Sequence, residues 1–175
     1  MNEADFNAVV ERHGNRVYGF IVHYLGGQNY ADDVMQEVLI KLWKKRDALD
    51  RERVLSWLLT VARNACIDEH RKNRNRQTRM TTNSDLTEVA PDDRQSSVST
   101  AAEQQLAMED LQREVEKLED PYKSIVILRE IQGFKYGEIA DTLGLPLSTV
   151  KVYLHRARKK LREQLTHRLE LNHAG

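Results

Sequence analysis

Hydrophobic side chains recur along the first half of the chain at intervals of three and four residues, the spacing of one face of an α-helix. These stripes predict three helices, over residues 4–25, 30–46 and 53–74. The second stripe shows the pattern plainly and consists of Tyr30, Val34, Val38 and Leu42. Strand-like alternation between glycine turns occurs nowhere in the sequence. The pattern therefore predicts an all-α protein, in which we interpret Trp57 and Cys66 as core residues.

A second helical pattern, over residues 134–161, predicts a helix-turn-helix. Gly144 permits a left-handed turn after a short helix, and Pro146 fits the first turn of the next helix, where its missing N–H is not required. The inward positions are Ile139, Ala140 and Leu143 on the first helix, then Val150, Leu154, Ala157 and Leu161 on the second. An ordinary amphipathic helix pair within a bundle is the alternative.

Between the two patterns, residues 77–102 are rich in Ser, Thr, Asp and Gln and have no helical period. Such a composition is typical of a linker. We predict two small helical domains, at residues 1–76 and 103–175, joined by a flexible acidic linker. Fully extended, that linker reaches at most about 90 Å.

Charge is segregated along the chain although its net value is zero. Residues 63–79 contain six Lys or Arg and two acids, and residues 148–168 contain seven and one. Residues 81–110 contain seven acids and one Arg. Both basic stretches lie on predicted helices, so each forms a local cationic face able to meet a polyanion.

The predicted faces indicate where partners bind. On the second helix one stripe consists of Asp33, Gln36, Glu37, Ile40 and Lys44. It is either an interface or simply a solvated face. On the third helix a basic line of Arg63, Arg71 and Arg74 is flanked by Asn64, Asp68, His70 and Lys72. The polar loop at residues 46–53 lies beside this line, and a positive groove next to a pocket suits single-stranded nucleic acid with an unstacked base.

The front of the last helix is cationic. Its members are Lys151, His155, Arg156, Arg158 and Lys159, with Thr149, Val152 and Tyr153 near the helix start. A helix of this kind presents its first residues to base edges in a major groove and its Lys and Arg to phosphates.

Several classes of protein are disfavoured. A single cysteine excludes a disulfide framework and fits a reducing compartment. No signal peptide is present, and no apolar run approaches the roughly 18 residues that span a bilayer. The sequence has no glycine-rich phosphate loop, no metal-spaced cluster and no nucleophile–base pair, so we expect neither an enzyme nor a cofactor. A stand-alone helix-turn-helix regulator and a protein-interaction module remain as alternatives.

Three segments resemble the extracytoplasmic-function group of the sigma-70 family. "ADDVMQEVLIKLW" at 31–43 is similar to the segment that grips core RNA polymerase. "WLLTVARNACIDEHRKNR" at 57–74 is similar to the segment that melts and reads the promoter −10 element. "DPYKSIVILREIQGFKYGEIADTLGLPLSTVKVYLHRARKKL" at 120–161 is similar to the −35-binding domain. The resemblance implies a sigma factor that directs promoter-specific initiation of transcription.

The resemblance also implies residue roles. Core polymerase would be contacted through its β′ subunit by Asp33, Gln36, Glu37 and the adjoining Ile40. The −10 strand would be bound by Arg63, Asn64, Asp68, Arg71, Lys72 and Arg74, with a flipped base held by Asp47, Ala48, Leu49 and Asp50. The −35 element would be read by Ser148, Thr149, Lys151, Val152, Tyr153, His155, Arg156 and Arg158.

The implied partners are core polymerase (its β′ and β subunits), promoter DNA with its two elements roughly 20–25 base pairs apart at ~3.4 Å per pair, and an anti-sigma factor. The implied location is the cytoplasm, without membrane insertion.

The chain departs from the usual family pattern at a few positions. Ser148 replaces a usual Gly, Val152 and Tyr153 replace Ser-Arg, Leu39 replaces Phe, and Asp120 stands where Leu often precedes the proline.

Overall fold

Every regular element in the described parts of the chain, residues 3–81 and 100–173 of a computed structural model, is helical. The α-helices are α1 (Glu3–Leu25), α2 (Ala31–Lys45), α3 (Val54–Thr81), α4 (Thr100–Glu116), α5 (Tyr122–Val126), α6 (Tyr136–Leu143) and α7 (Leu147–His173). A 3₁₀ turn, Arg46–Ala48, follows α2, and a π-helical segment, Ile127–Ile131, continues α5. The predicted all-α class is confirmed.

The first lobe consists of α1, α2 and α3, which pack on one another through the predicted stripes. Phe20, Val38 and Leu42 are at most 1% exposed, as the helical period requires of inward positions. The prediction is wrong for Tyr30, which has a left-handed backbone (φ 65°) and is 47% exposed, while Ala31 beside it is buried. Cys66 is buried as predicted, and that burial raises the pKa of its thiol to about 12.

The second lobe consists of α4 to α7 with the π-helical segment. Its centre is formed by Ile125, Leu128, Ile139 and Leu154, all at most 1% exposed. The predicted inner face of the last helix is confirmed, because Val150, Leu154, Ala157 and Leu161 are all buried.

Helices extend into both ends of the predicted linker. α3 continues to Thr81 and α4 begins at Thr100, so residues 77–81 and 100–102 are helical. The rest of the predicted linker, 82–99, lies outside the described residues. The division of the chain at 76 and 103 stays a prediction.

The two lobes pack directly against each other. α3 contacts α6, and α1 contacts both α4 and the π-helical segment. The sequence pattern predicted the three helices of the first lobe and helices α6 and α7 of the second, but it made no prediction about this contact.

Candidate polymerase and nucleic-acid interfaces

The turn between α6 and α7 has the geometry expected of a helix-turn-helix. Gly144 has the left-handed backbone (φ 64°, ψ 34°), and the Leu145 N–H donates to the Ala140 carbonyl at 3.0 Å. Pro146 lies just before α7 rather than within it, and its carbonyl accepts the Val150 N–H at 3.1 Å. The start of α6 is closed by the Glu138 carboxylate, which accepts the Lys135 N–H at 2.7 Å. These contacts fix the angle at which α7 leaves the turn.

The front of α7 carries most of the predicted −35 residues in exposed positions. Exposed side chains are those of Ser148, Lys151, Val152, His155, Arg156 and Arg158. Arg158 is held by Glu130 from the π-helical segment, with Nε to Oε1 at 2.9 Å. Thr149 and Tyr153 are half-buried, and the Tyr153 ring packs on Tyr122 with the centroids 4.9 Å apart. Tyr153 thus supports the start of the helix, in addition to any contact with DNA.

Most residues of the basic line on α3 are exposed to solvent, but Arg63 contacts the second lobe. Asn64, Asp68, Arg71, Lys72 and Arg74 are exposed. Arg71 lies 3.9 Å from Asp68, and Lys72 lies 3.7 Å from Glu69, so these charges are matched locally by weak surface pairs. Arg63 differs, because its guanidinium faces the second lobe and pairs with Asp120.

The loop that the sequence assigned to a flipped base is held at both ends. Arg46 lies over the Trp43 ring at 4.2 Å, and Arg51 donates to Asp5 at 2.6 Å. Within the loop, Leu49 is half-buried against the core, while Asp47, Ala48 and Asp50 are exposed. A cavity of about 150 Å³ adjoins the loop between α1 and α3 and is lined by Arg51, Arg12, His13 and Val54, among others. Neither residues 47–50 nor the basic line of α3 line this cavity, so the predicted base pocket stays a prediction.

On α2, the predicted polymerase face is open to solvent. Asp33, Gln36 and Ile40 are exposed, and Glu37 is half-buried with its carboxylate 2.5 Å from Lys41. Trp43, one turn from Ile40, is 42% exposed. Exposed apolar side chains beside carboxylates are typical of a protein-interface edge.

Sequence reasoning missed the polar groups that join the lobes. Lys123 is 3% exposed, lies 4.6 Å from the Tyr24 ring centroid and donates to the Glu116 carbonyl at 3.1 Å. Burial lowers the pKa of Lys123 and raises that of Tyr24. The only sequence signal was the position of Asp120, an acid where the family usually has Leu.

Further contacts cross the same boundary. The Thr60 hydroxyl donates to the Thr142 carbonyl at 2.7 Å. The Gln132 amide donates to the Arg16 carbonyl at 2.8 Å, and the Arg16 guanidinium lies 4.2 Å from the Phe134 ring centroid. These groups are polar, and they lie beside a continuous apolar core that includes buried residues of both lobes.

Within the described residues, no group of three or more His, Cys, Asp or Glu side chains is arranged to hold a metal ion. In the same parts of the chain no helix has both the length and the apolar character needed to cross a membrane.

The stretches that carry these faces match two protein-family profiles. Sigma-70 region 2 matches residues 9–76, and Sigma-70, region 4 matches residues 108–161. The RNA polymerase sigma factor YlaC of Bacillus subtilis is 32% identical to the chain over 85% of its length and 87% of the length of YlaC. The chain belongs to the sigma-70 family.

Other relatives place this sigma factor in the extracytoplasmic-function group, as the resemblance implied. The ECF sigma factor SigW of Bacillus subtilis is 29% identical, over 91% of this chain and 88% of SigW. Among solved structures, the sigma factor RpoE from Bartonella quintana, in complex with the anti-sigma factor NepR, superimposes with a TM-score of 0.67 at 24% identity. That match covers 93% of this chain and 97% of RpoE and supports the arrangement of two helical domains.

The predicted function, an RNA polymerase sigma factor, is confirmed by these matches. The family is one of transcription initiation factors. The region 2 match removes the alternative of a stand-alone helix-turn-helix regulator, because such a regulator would not need that domain. The roles of individual residues stay predictions.

Proposed function

We propose that this sigma factor binds core polymerase through the exposed face of α2, reads and melts the −10 element with α3 and the 47–50 loop, and reads the −35 element with α7. The observation that carries the proposal is the helix-turn-helix geometry at Gly144 together with the exposed cationic front of α7. The exposed acids of α2 and the basic line of α3 lie on the other lobe, as two separate DNA contacts and a polymerase contact require.

Because the two lobes would bind the promoter at two separate elements, core polymerase contributes to promoter recognition. Each lobe alone presents a small basic face, and the two lobes pack on each other in the structure of the free chain. Core polymerase, by positioning both lobes, converts two weak contacts into one strong contact. Run-off transcription with core polymerase and a promoter library tests the function. Specific promoter binding that is undiminished without core polymerase would contradict it.

We further propose that an anti-sigma factor controls this protein in the cytoplasm. The support is the likeness to a sigma factor solved with its anti-sigma factor, and the exposure of the α2 face that such a partner would cover. The acidic residues of the predicted linker, Asp85, Glu88, Asp92 and Asp93, lie outside the described residues. We propose that they follow the path that RNA later takes, next to the β subunit.

Reversing the charge of Asp33 to Lys should weaken core polymerase affinity by about ten-fold, because the side chain lies at an interface edge next to Ile40. A titration of fluorescently labelled sigma factor with core polymerase measures the change. Glu11→Lys is the matched control, since Glu11 is also exposed but lies on α1. Equal affinities of the two variants would mean that Asp33 lies on a solvent-exposed face that does not contact core polymerase.

On α7, Lys151→Ala and Arg156→Ala should act differently. Lys151 is placed to reach a phosphate, so its removal should weaken binding equally across −35 sequences and reduce the salt slope by roughly one. Arg156 is placed to reach a base edge, where a good contact discriminates by about 1–3 kcal/mol, so its removal should relax the preference at one position. A −35 mutant library transcribed at several salt concentrations separates the two effects. A uniform loss with both variants would mean that α7 serves only as an electrostatic clamp.

A further inference from the structure

Glu130, near the end of the π-helical segment, is an acid that contacts the cationic front of α7. Its Oε1 accepts hydrogen bonds from Nε of Arg158 at 2.9 Å and from Nη2 at 2.5 Å. The hydrogen bond to Glu130 raises the pKa of Arg158, and Tyr136 of α6 contributes to the same shift. The Arg158 side chain therefore interacts with both elements that precede α7.

A contribution to stability does not account for this pair. The Glu130 side chain is 41% exposed and that of Arg158 is 46% exposed, and an ion pair so exposed adds little to stability. A carboxylate on a surface that meets DNA also repels the phosphates. The pair is better explained by what it does to the arginine.

The backbone that carries Glu130 ends in a hydrogen-bonded turn. The Gln132 N–H donates to the carbonyl of Ile127, at the start of the segment, at 3.0 Å. Gly133 then ends the segment with a left-handed backbone (φ 71°), which glycine adopts at little cost. π-helical turns are rare and are frequent at functional sites. The carboxylate thus reaches Arg158 from a well-defined support.

The position of Arg158 along α7 suits contact with a phosphate. α7 begins at Leu147. From there to Arg158 the helix advances about 16 Å, more than the ~12 Å width of a major groove. When the first residues of a helix contact base edges, residues this far along lie near the DNA backbone. A guanidinium has more N–H donors than the two that Glu130 accepts, so donors remain for a phosphate.

We propose that Glu130 is a positioning residue for promoter binding, which holds the Arg158 guanidinium ready for one phosphate at the edge of the −35 element. The inference rests on the proposed −35 role of α7. Arginine has many rotamers, and ordering them during binding weakens affinity. Because Glu130 orders Arg158 in the free chain, this loss of freedom precedes the encounter with DNA. Glu130 thus strengthens binding to DNA although both are negatively charged.

The order of the Arg158 side chain in the free protein tests the first step. It is measured by NMR relaxation of the Arg158 Nε–H group, which is assigned by its absence in Arg158→Ala. Its order parameter should fall from that of an ordered group to below about 0.6 in Glu130→Ala. Glu163→Ala is the matched control, because Glu163 is an exposed acid on α7 that lies 3.9 Å from Lys159 instead. An order parameter that is the same in Glu130→Ala and in the parent would overturn the positioning.

Affinity for promoter DNA is then measured with the full chain bound to core polymerase, on a promoter taken from the run-off library. Glu130→Ala should weaken binding about five-fold, the loss expected when one arginine has to be ordered on binding. Removal of a surface acid by itself has the opposite effect, because repulsion of the phosphates is relieved. Glu163→Ala should therefore bind as tightly as the parent or more tightly. Binding by Glu130→Ala that equals or exceeds that of the parent would overturn the positioning.

Glu130→Gln keeps the shape of the side chain but not its charge. It provides the same comparison if Glu130→Ala changes the amide spectrum of the protein.

Neutral methylphosphonates, introduced one at a time along the −35 duplex, locate the phosphate. The parent should lose affinity at one position, and Arg158→Ala and Glu130→Ala should be less sensitive there. In an Arg158→Ala background, Glu130→Ala should lower affinity no further, because Glu130 acts through Arg158. A further loss in the double variant would give Glu130 a general structural role and overturn the positioning.

Failure of the proposed function would look different. The parent would then show no promoter-specific transcription, and relaxation in the free chain would still test whether Glu130 orders Arg158. A parent that transcribes from its promoter, with a Glu130→Ala variant that binds equally well, would contradict the positioning alone.

Discussion

Promoter opening should fall by on the order of 100-fold when Arg63, Asn64 and Arg71 are all replaced by Ala, while affinity for core polymerase stays unchanged. The magnitude follows from the loss of two charge-assisted contacts of about 1.5–3 kcal/mol each, which are not fully additive, together with one amide contact. Asn64 and Arg71 are exposed on α3, whereas Arg63 is half-buried and pairs with Asp120 of the second lobe. Permanganate footprinting of thymines in the melted strand measures the opening.

A matched comparison separates this effect from a general loss of surface charge. Asn64→Ala/Arg71→Ala is compared with Asn7→Ala/Arg113→Ala, which removes the same residue types from exposed positions on α1 and α4. Only the first pair should reduce melting. Normal promoter melting by the triple variant would mean that these α3 residues do not take part in −10 recognition.

Leu154→Ala should lower the free energy of unfolding of the second lobe by about 2–5 kcal/mol, the usual cost of truncating a buried leucine. Leu154 is 1% exposed in the centre of the helix-turn-helix, where the surrounding core cannot fully fill the space that the truncation leaves. The expected loss is a large part of the roughly 5–15 kcal/mol that stabilises an ordinary protein. Urea unfolding followed by circular dichroism measures the change, and −35-dependent transcription should fall with it.

Val152→Ala provides the control on the same helix. Val152 is 46% exposed on the front of α7, so its truncation should change the free energy of unfolding by no more than about 0.5 kcal/mol. It should instead alter the preference among −35 sequences, because its methyl groups are free to contact a thymine methyl. If the two variants lost equal stability, the assignment of the inner and outer faces of α7 would be incorrect.

The helices of the first lobe and of the helix-turn-helix, with most of their inner faces, could be predicted from the sequence because they depend on local spacing. A residue such as Leu154 is buried in any helix-turn-helix of this pattern, wherever the other lobe lies. The left-handed turn at Gly144 was predictable for the same reason, since it depends on the backbone of one residue.

The contacts of Arg63, Tyr153 and Lys123 could not be predicted in this way. Each depends on an element distant in the sequence: Arg63 on Asp120, Tyr153 on Tyr122, and Lys123 on Tyr24. The periodicity of α3 showed that Arg63 lies off the core of its own lobe, but not that a second lobe would cover it. The burial of Lys123 is also unexpected from its residue type, because lysine is rarely buried unless a partner satisfies its ammonium group.

The continuation of α3 to Thr81 and the start of α4 at Thr100 set a limit on promoter spacing. Between these two residues the chain spans at most about 60–70 Å, compared with the roughly 90 Å available to a linker of residues 77–102. Residues in a helix advance only about 1.5 Å each, so unwinding one terminal turn lengthens the connection by about 7 Å, equivalent to two base pairs of duplex. We therefore expect the stability of these two helix ends to influence how many extra spacer base pairs the protein tolerates. Helix-favouring substitutions at residues 77–81 would narrow the range of promoters in use without changing any residue that touches DNA.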